Sequence, residues 1–176
     1  PSLRQRPAYR RWRKFLAGAQ QWTPERIESW QLENLRAIVR HAVTHTEGYR
    51  ALYQQAGVTP EDIRSVADVR RLPFTTKEMF RDQLAEFTVR GGGGSYVTTG
   101  GSTGIPFGFY ELKETSELER AFMHAGWSWA GWKIGQKSAV LRGGFVGTEE
   151  QFSAYDSFHR ELALSSYFLT SRTGAA

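Results

Sequence analysis

The chain has 176 residues, 40% hydrophobic, 14% aromatic and 23% charged, which excludes wholesale disorder and predicts one domain, or one domain with a small helical appendage. It has no cysteine, so a disulfide framework, a thiolate nucleophile and a thiolate zinc site are all excluded, and the composition fits a reducing, cytoplasmic setting. The net charge of +5 sits at one end, because Arg4, Arg6, Arg10, Arg11, Arg13 and Lys14 precede the first acid, Glu25, and leave the remainder at −1.

That basic start is not followed by an apolar stretch, so no signal peptide is expected, and a chain opening at Pro1 without Met is expected to have an upstream start. A basic arm invites a nucleic-acid or anionic-membrane reading. The alternative is a solvated helix that lays Tyr9, Trp12, Phe15 and Leu16 on a partner surface. The near-helical spacing of the aromatics and the lack of a nucleic-acid motif favour the second reading, hence no nucleic-acid partner.

Three helix starts follow. Thr23-Pro24-Glu25 offers a Thr cap, Pro at the first helical position and an acid at the positive end of the helix dipole, with Trp22 and Ile27 as a hydrophobic staple. The helix is expected to run to about His45 before Gly48, with Ile27, Trp30, Leu35, Ile38, Ala42 and Val43 on its apolar face. Thr59-Pro60-Glu61-Asp62 repeats the pattern with Val58 and Ile63 as the staple, and Thr75 with Glu78 makes a capping box flanked by Phe74 and Met79. Residues 1–88 therefore read as a mainly helical region.

The composition changes at Gly91: eight of the 18 glycines lie between Gly91 and Gly108. The longest uncharged run, Gly91 to Tyr110, is built of Gly, Ser and Thr and is no membrane span, so a soluble protein is expected. Strands are predicted at Ser95–Thr98 and within 106–112, a helix from about Thr115 with Leu118, Phe122, Ala125, Trp129 and Trp132 along a core stripe, a short strand at 138–141, and an apolar segment of open type over 161–169. Gly91-Gly92-Gly93-Gly94-Ser95 reads either as a natural glycine-rich approach to the loop that follows or as an engineered linker.

Thr99-Gly100-Gly101-Ser102-Thr103-Gly104-Ile105-Pro106 lets successive backbone N–H groups face one concavity while Thr99, Ser102 and Thr103 add hydroxyl donors, the outline of a phosphate cradle. It is not a Walker A loop, since no Lys-Ser/Thr pair follows Gly104; a hairpin turn without a ligand is the other reading. His41 and His45 share a helix face, but Ala42 stands where a metallopeptidase needs Glu, so no metal site is expected. His124 and His159 look isolated, Glu149 and Glu150 read as a solvated loop, and no catalytic residue can be assigned.

The Thr99–Pro106 stretch resembles the phosphate-binding loop of the adenylate-forming ligases, with Gly100 at a position usually held by a hydroxyl residue and Phe107 where many acyl-CoA synthetases carry a lysine. Both departures, with Leu72-Pro73-Phe74-Thr75-Thr76-Lys77-Glu78 and Leu164-Ser165-Ser166-Tyr167, are similar to the branch of phenylacetate-CoA ligase, coenzyme F390 synthetase and the CapK-type proteins of capsular polysaccharide biosynthesis. The resemblance implies an α/β fold, a helical N-terminal region leading into part of a sheet-and-helix large domain over residues 89–176. It implies activation of a small-molecule carboxylate by ATP and Mg²⁺ as an acyl-adenylate, then transfer to coenzyme A. By it, Thr99, Ser102 and Thr103 are donors to the β- and γ-phosphates, and Gly100, Gly101 and Gly104 give close backbone approach.

The family's adenine and ribose motifs and its C-terminal lysine have no counterpart in these 176 residues. The chain is therefore expected to be an N-terminal fragment, natural or cloned, that is inactive alone and associates as a homo-oligomer through apolar surface that the remaining domain would cover. A different class of function, a non-catalytic helical interaction module with a basic arm, is the alternative.

Overall fold

The computed structural model describes residues 6–99, 106–142, 148, 150–157 and 160–168. These residues are mixed α and β, as expected, and fall into two compact units, residues 1–122 and 123–176.

The first unit opens with α1 (Pro7–Ala19), which starts on a proline, and α2 (Pro24–His45), whose N-cap Thr23 accepts from the Arg26 N–H at 3.4 Å. The rings of α1 do not await a partner. Phe15 packs on Trp22 and Trp30 at centroid distances of 5.4 and 5.2 Å, and Trp12 meets Phe15 and Phe122 at 5.4 and 6.0 Å. Arg6 and Arg11 bond Glu117 and Glu114 at 3.2 and 3.1 Å, so part of the basic arm is neutralised within the chain.

The apolar face of α2 differs from the expectation. Val39 is buried, with Leu32, Leu35, Arg36, Ala42 and Val43 beside it at intermediate exposure, whereas Ile38 is 60% exposed and Ile27 lies on the solvent side. At its start the Arg26 guanidinium lies 4.5 Å from the Trp22 ring centroid, a cation–π contact, and Ile27 of the expected staple is 39% exposed. Thr46, buried, ends α2 and begins α3 (Glu47–Gln55): its N–H and hydroxyl both donate to the Ala42 carbonyl, at 3.0 and 2.8 Å. Gly48 is therefore not a helix terminator. It lies inside α3 against the ring of Phe87.

The second start is a 3-10 turn, Pro60–Asp62, in which Asp62 accepts from the Thr59 N–H and hydroxyl, both at 2.8 Å, with Val58 and Ile63 buried as the flanking pair. Arg36 joins this turn to α2 through the Ile63 carbonyl at 2.6 Å. Ser65 and Asp68 repeat the device before a 3-10 helix over Val66–Arg71. The third start is displaced by one residue: Thr76, not Thr75, caps α4 (Lys77–Asp82) by accepting from the Met79 N–H at 3.3 Å, while Phe74 is 94% exposed. The short α5 (Leu84–Phe87) then places Phe87 in the core.

The strands β1 (Ser95–Thr98) and β2 (Gly108–Glu111) pair antiparallel from Ser95↔Glu111 to Thr98↔Gly108, and α6 (Thr115–Trp129) follows. The buried residues of α6 are Ala121 and Ala125; Phe122 and Trp129, expected in a core stripe, are 47% and 74% exposed. In the second unit β3 (Ser138–Arg142) and β5 (Glu161–Ser165) pair parallel, and β4 (Ser153–Asp156), which the sequence reading missed, pairs antiparallel with the other side of β5. The open segment after residue 160 is thus the central strand of a three-stranded sheet.

Candidate functional site

The glycine-rich segment lies in sequence between the paired strands β1 and β2. Gly91 and Gly93 have φ of +71° and +63°, a left-handed backbone that favours glycine and turns the chain into β1. Gly108 has a different reason to be glycine: the phenol end of Tyr96, which pairs through its ring with Tyr110, occupies the place where a β-carbon on residue 108 would stand. Beyond the last strand pair the ladder continues by one rung. The Thr99 N–H donates to the Phe107 carbonyl at 2.8 Å and the Phe107 N–H donates to Thr99 Oγ1 at 3.3 Å.

Thr99 and Phe107 therefore form the neck of the loop. Of the six residues assigned to phosphate binding, Thr99 is at this neck, while Gly100, Gly101, Ser102, Thr103 and Gly104 lie outside the described residues. The neck is joined to the helices through aromatic rings. Phe107 stacks with Phe109 at 5.7 Å and meets Phe80 of α4 edge-on at 5.7 Å. Phe80 in turn packs on Phe87 at 4.8 Å, and Tyr49 of α3 contacts Phe80, Phe87 and Tyr53 at 6.3, 5.1 and 5.8 Å.

Burial pushes the Tyr49 phenol up, and a hydrogen bond with Thr75 partly opposes that shift. Thr75 of the Leu72–Glu78 segment thus meets this aromatic cluster at Tyr49, and Phe80, two residues beyond that segment, meets it at Phe107. Sequence reasoning missed this connection because Tyr49 and Phe107 lie far in the chain from Phe80 and Phe87, and no local period links them to that pair.

The third segment of the resemblance lies in the second unit. Ser165 ends β5 fully buried, its backbone N–H bonded to the Phe152 carbonyl at 2.8 Å and its hydroxyl without a partner among the described residues; Tyr167 is 69% exposed. The rings of His41 and His45 are 4.5 Å apart, and among the described residues no group of three or more His, Cys, Asp or Glu side chains could hold a metal. His124 is not isolated, because its ring packs on Trp127 and Trp132 at 5.5 and 4.6 Å. His159 and Glu149 lie outside the described residues, and Glu150 is exposed. No helix among the described residues is long and apolar enough to cross a membrane.

No protein-family model matches the sequence. Curated proteins do. Phenylacetate-coenzyme A ligase of Aromatoleum evansii is 40% identical over 58 residues, the enzyme of that name from Escherichia coli is 34% identical over 58, and that of Thermus thermophilus is 36% identical over 58. Each match covers 33% of this chain and 13% of the relative. Over that stretch the chain is similar to phenylacetate-coenzyme A ligases and spans only a small part of their length.

Proposed function

We propose that this chain carries the pyrophosphate-gripping part of an AMP-forming ligase that activates a carboxylate with ATP for transfer to coenzyme A. The supporting observation is a glycine- and hydroxyl-rich segment that connects the two strands of a hairpin, in a chain similar to phenylacetate-coenzyme A ligases. In such a reaction the carboxylate attacks the α-phosphorus, the bond to the bridging oxygen breaks, and pyrophosphate leaves with the electron pair; a thiol then displaces AMP from the acyl group. Negative charge collects on the departing pyrophosphate, where preorganised N–H and hydroxyl donors have their largest effect.

The donor set fits a phosphate group. Gly100, Gly101 and Gly104 have no side chain to shield a backbone N–H group, and Ser102 and Thr103 carry hydroxyls. Thr99 has a split role: its oxygen accepts from the Phe107 N–H at 3.3 Å, and its hydroxyl, which donates to the Phe107 carbonyl at the long distance of 3.5 Å, would turn to a phosphate oxygen when one is bound. Mg²⁺ would be held mainly by the phosphates and water, as is usual for that ion, and would neutralise the leaving group when bound. Phe107, where the resemblance would place a lysine, adds no charge to the loop, so the grip relies on backbone and hydroxyl donors.

Within the family we assign the chain to the branch that includes the CapK-type proteins of capsular polysaccharide biosynthesis and the F390 synthetases, acting in the cytoplasm on a small-molecule carboxylate. Adenine recognition and the catalytic lysine are assigned to segments outside these 176 residues, so the chain alone binds but does not turn over. The interaction-module reading has weaker support, since Trp12 and Phe15 pack within the chain's own ring cluster. Titration with Mg-ATP tests the proposal. The chain should bind it, and Ser102→Ala with Thr103→Ala should weaken binding by about tenfold or more, since a hydrogen bond to a charged group contributes about 1.5–3 kcal/mol. Equal affinity of the double variant and the parent, or no binding by the parent, refutes it.

A further inference from the structure

We infer that Phe80 is a positioning residue for the glycine-rich loop, holding the hairpin neck on the helices through its ring contact with Phe107; its effect on nucleotide binding rests on the phosphate-loop reading above. A two-stranded hairpin is marginally stable by itself. Here Tyr96 and Tyr110, which pair across it, are each more than half exposed, so their faces contribute little anchoring. The neck rung between Thr99 and Phe107 fixes the spacing of the loop ends but not their direction.

Direction comes from Phe107, whose ring meets Phe80 at 5.7 Å with the planes 82° apart. Phe80 is itself constrained. Its neighbour Phe87 is 8% exposed and lies so close over Gly48 that a β-carbon there would be 2.9 Å from the ring, so Phe87 has no room to retreat. Gly48 and Phe87 thus back Phe80, and Phe80 meets the loop neck through Phe107. Position 107 gives up a charge and supplies an anchor.

The test uses hydrogen exchange of the Thr99 and Phe107 amides, with the Val39 amide of α2 as the internal reference, alongside Mg-ATP titration. Phe80→Ala should speed exchange at Thr99 about fivefold or more relative to Val39, the mark of a local opening, and weaken Mg-ATP by a similar factor. Phe80→Tyr, which keeps the ring, should restore both. Phe107→Leu removes the contact from the loop side, leaves the helical rings in place, and should reproduce the Phe80→Ala effect; it decides the matter if Phe80→Ala fails to fold. Unchanged Thr99 exchange in the folded alanine or leucine variant overturns the inference, as does a Phe80→Tyr variant no better than alanine. A parent chain that does not bind Mg-ATP refutes the phosphate reading, while the exchange measurements still decide whether Phe80 holds the neck.

Discussion

Gly48 is a position where one methyl group has nowhere to go. A β-carbon there would meet three atoms of the Phe87 ring at 2.9 Å, and that ring is held from the other side by Tyr49 and Phe80. Gly48→Ala, although favourable for helix propensity, should therefore destabilise the first unit by about 2 kcal/mol, the usual scale of overpacking. Thermal unfolding followed by circular dichroism should show a Tm lower by about 4–8 °C. The opposite result, a rise in Tm, would mean that Phe87 yields. Two aspartates provide a second test. Asp62 is held below its ordinary value chiefly by the Thr59 N–H, and Asp68 by the Ser65 N–H, with the neighbouring hydroxyls next. A carboxylate lowered in the folded state stabilises above its ordinary value of 3.8, and that contribution is lost as pH falls through the lowered value. Asp68→Asn should thus flatten the acid limb of the stability profile below about pH 5 while lowering stability at neutral pH. These caps were legible in the sequence because they are local. The one-residue displacement from Thr75 to Thr76 was not, since adjacent threonines offer the same hydroxyl.

Among the elements, α2 shows why a helix can be placed correctly and its face misjudged. Its start and end follow from Thr23, Pro24 and Thr46, but Ile27 and Ile38 compete with Leu32 and Val39 for the buried stripe, and only the packing of α3 and the Pro60 turn decides. Arg36, with its guanidinium on the Ile63 carbonyl, sits in the buried stripe where periodicity would have wanted an apolar residue. For α1, spacing correctly identified Trp12 and Phe15 as a contact surface but could not show that the surface is met by Trp22, Trp30 and Phe122. Phe15 is the centre of that cluster. Phe15→Ala should cost about 3 kcal/mol and shift tryptophan emission to the red, as Trp12, Trp22 and Trp30 lose a shared neighbour. Emission unchanged in wavelength would count against a cohesive cluster. The strand β4 escaped notice because Ser153-Ala154-Tyr155-Asp156 has no β-branched residue and an acid at its end; it is a strand because β5 offers it an edge.

At the scale of the whole molecule, the mixed α and β class and the change of character near Gly91 could be read from composition, whereas the division at residue 122 could not, because it falls within α6. Each unit carries three tryptophans: Trp12, Trp22 and Trp30 in the first, Trp127, Trp129 and Trp132 in the second. Urea unfolding should accordingly fail the two-state test. Emission from a variant with Phe at positions 12, 22 and 30 reports the second unit, and its midpoint should differ from that of the helical circular dichroism signal, which the first unit dominates. Coincident curves would show that the units unfold as one. The parallel pairing of β3 with β5 has a consequence in time as well. Its first partners, Ser138 and Glu161, are 23 positions apart in sequence, so this ladder has to await the closure of the loop between them, while the helices α2 and α3, which pack on each other, follow directly in the chain. During synthesis those helices also emerge earlier. The run Leu162-Ala163-Leu164 therefore spends the interval between emergence and closure as an unpaired strand, and refolding at rising protein concentration should lose its yield first through this segment.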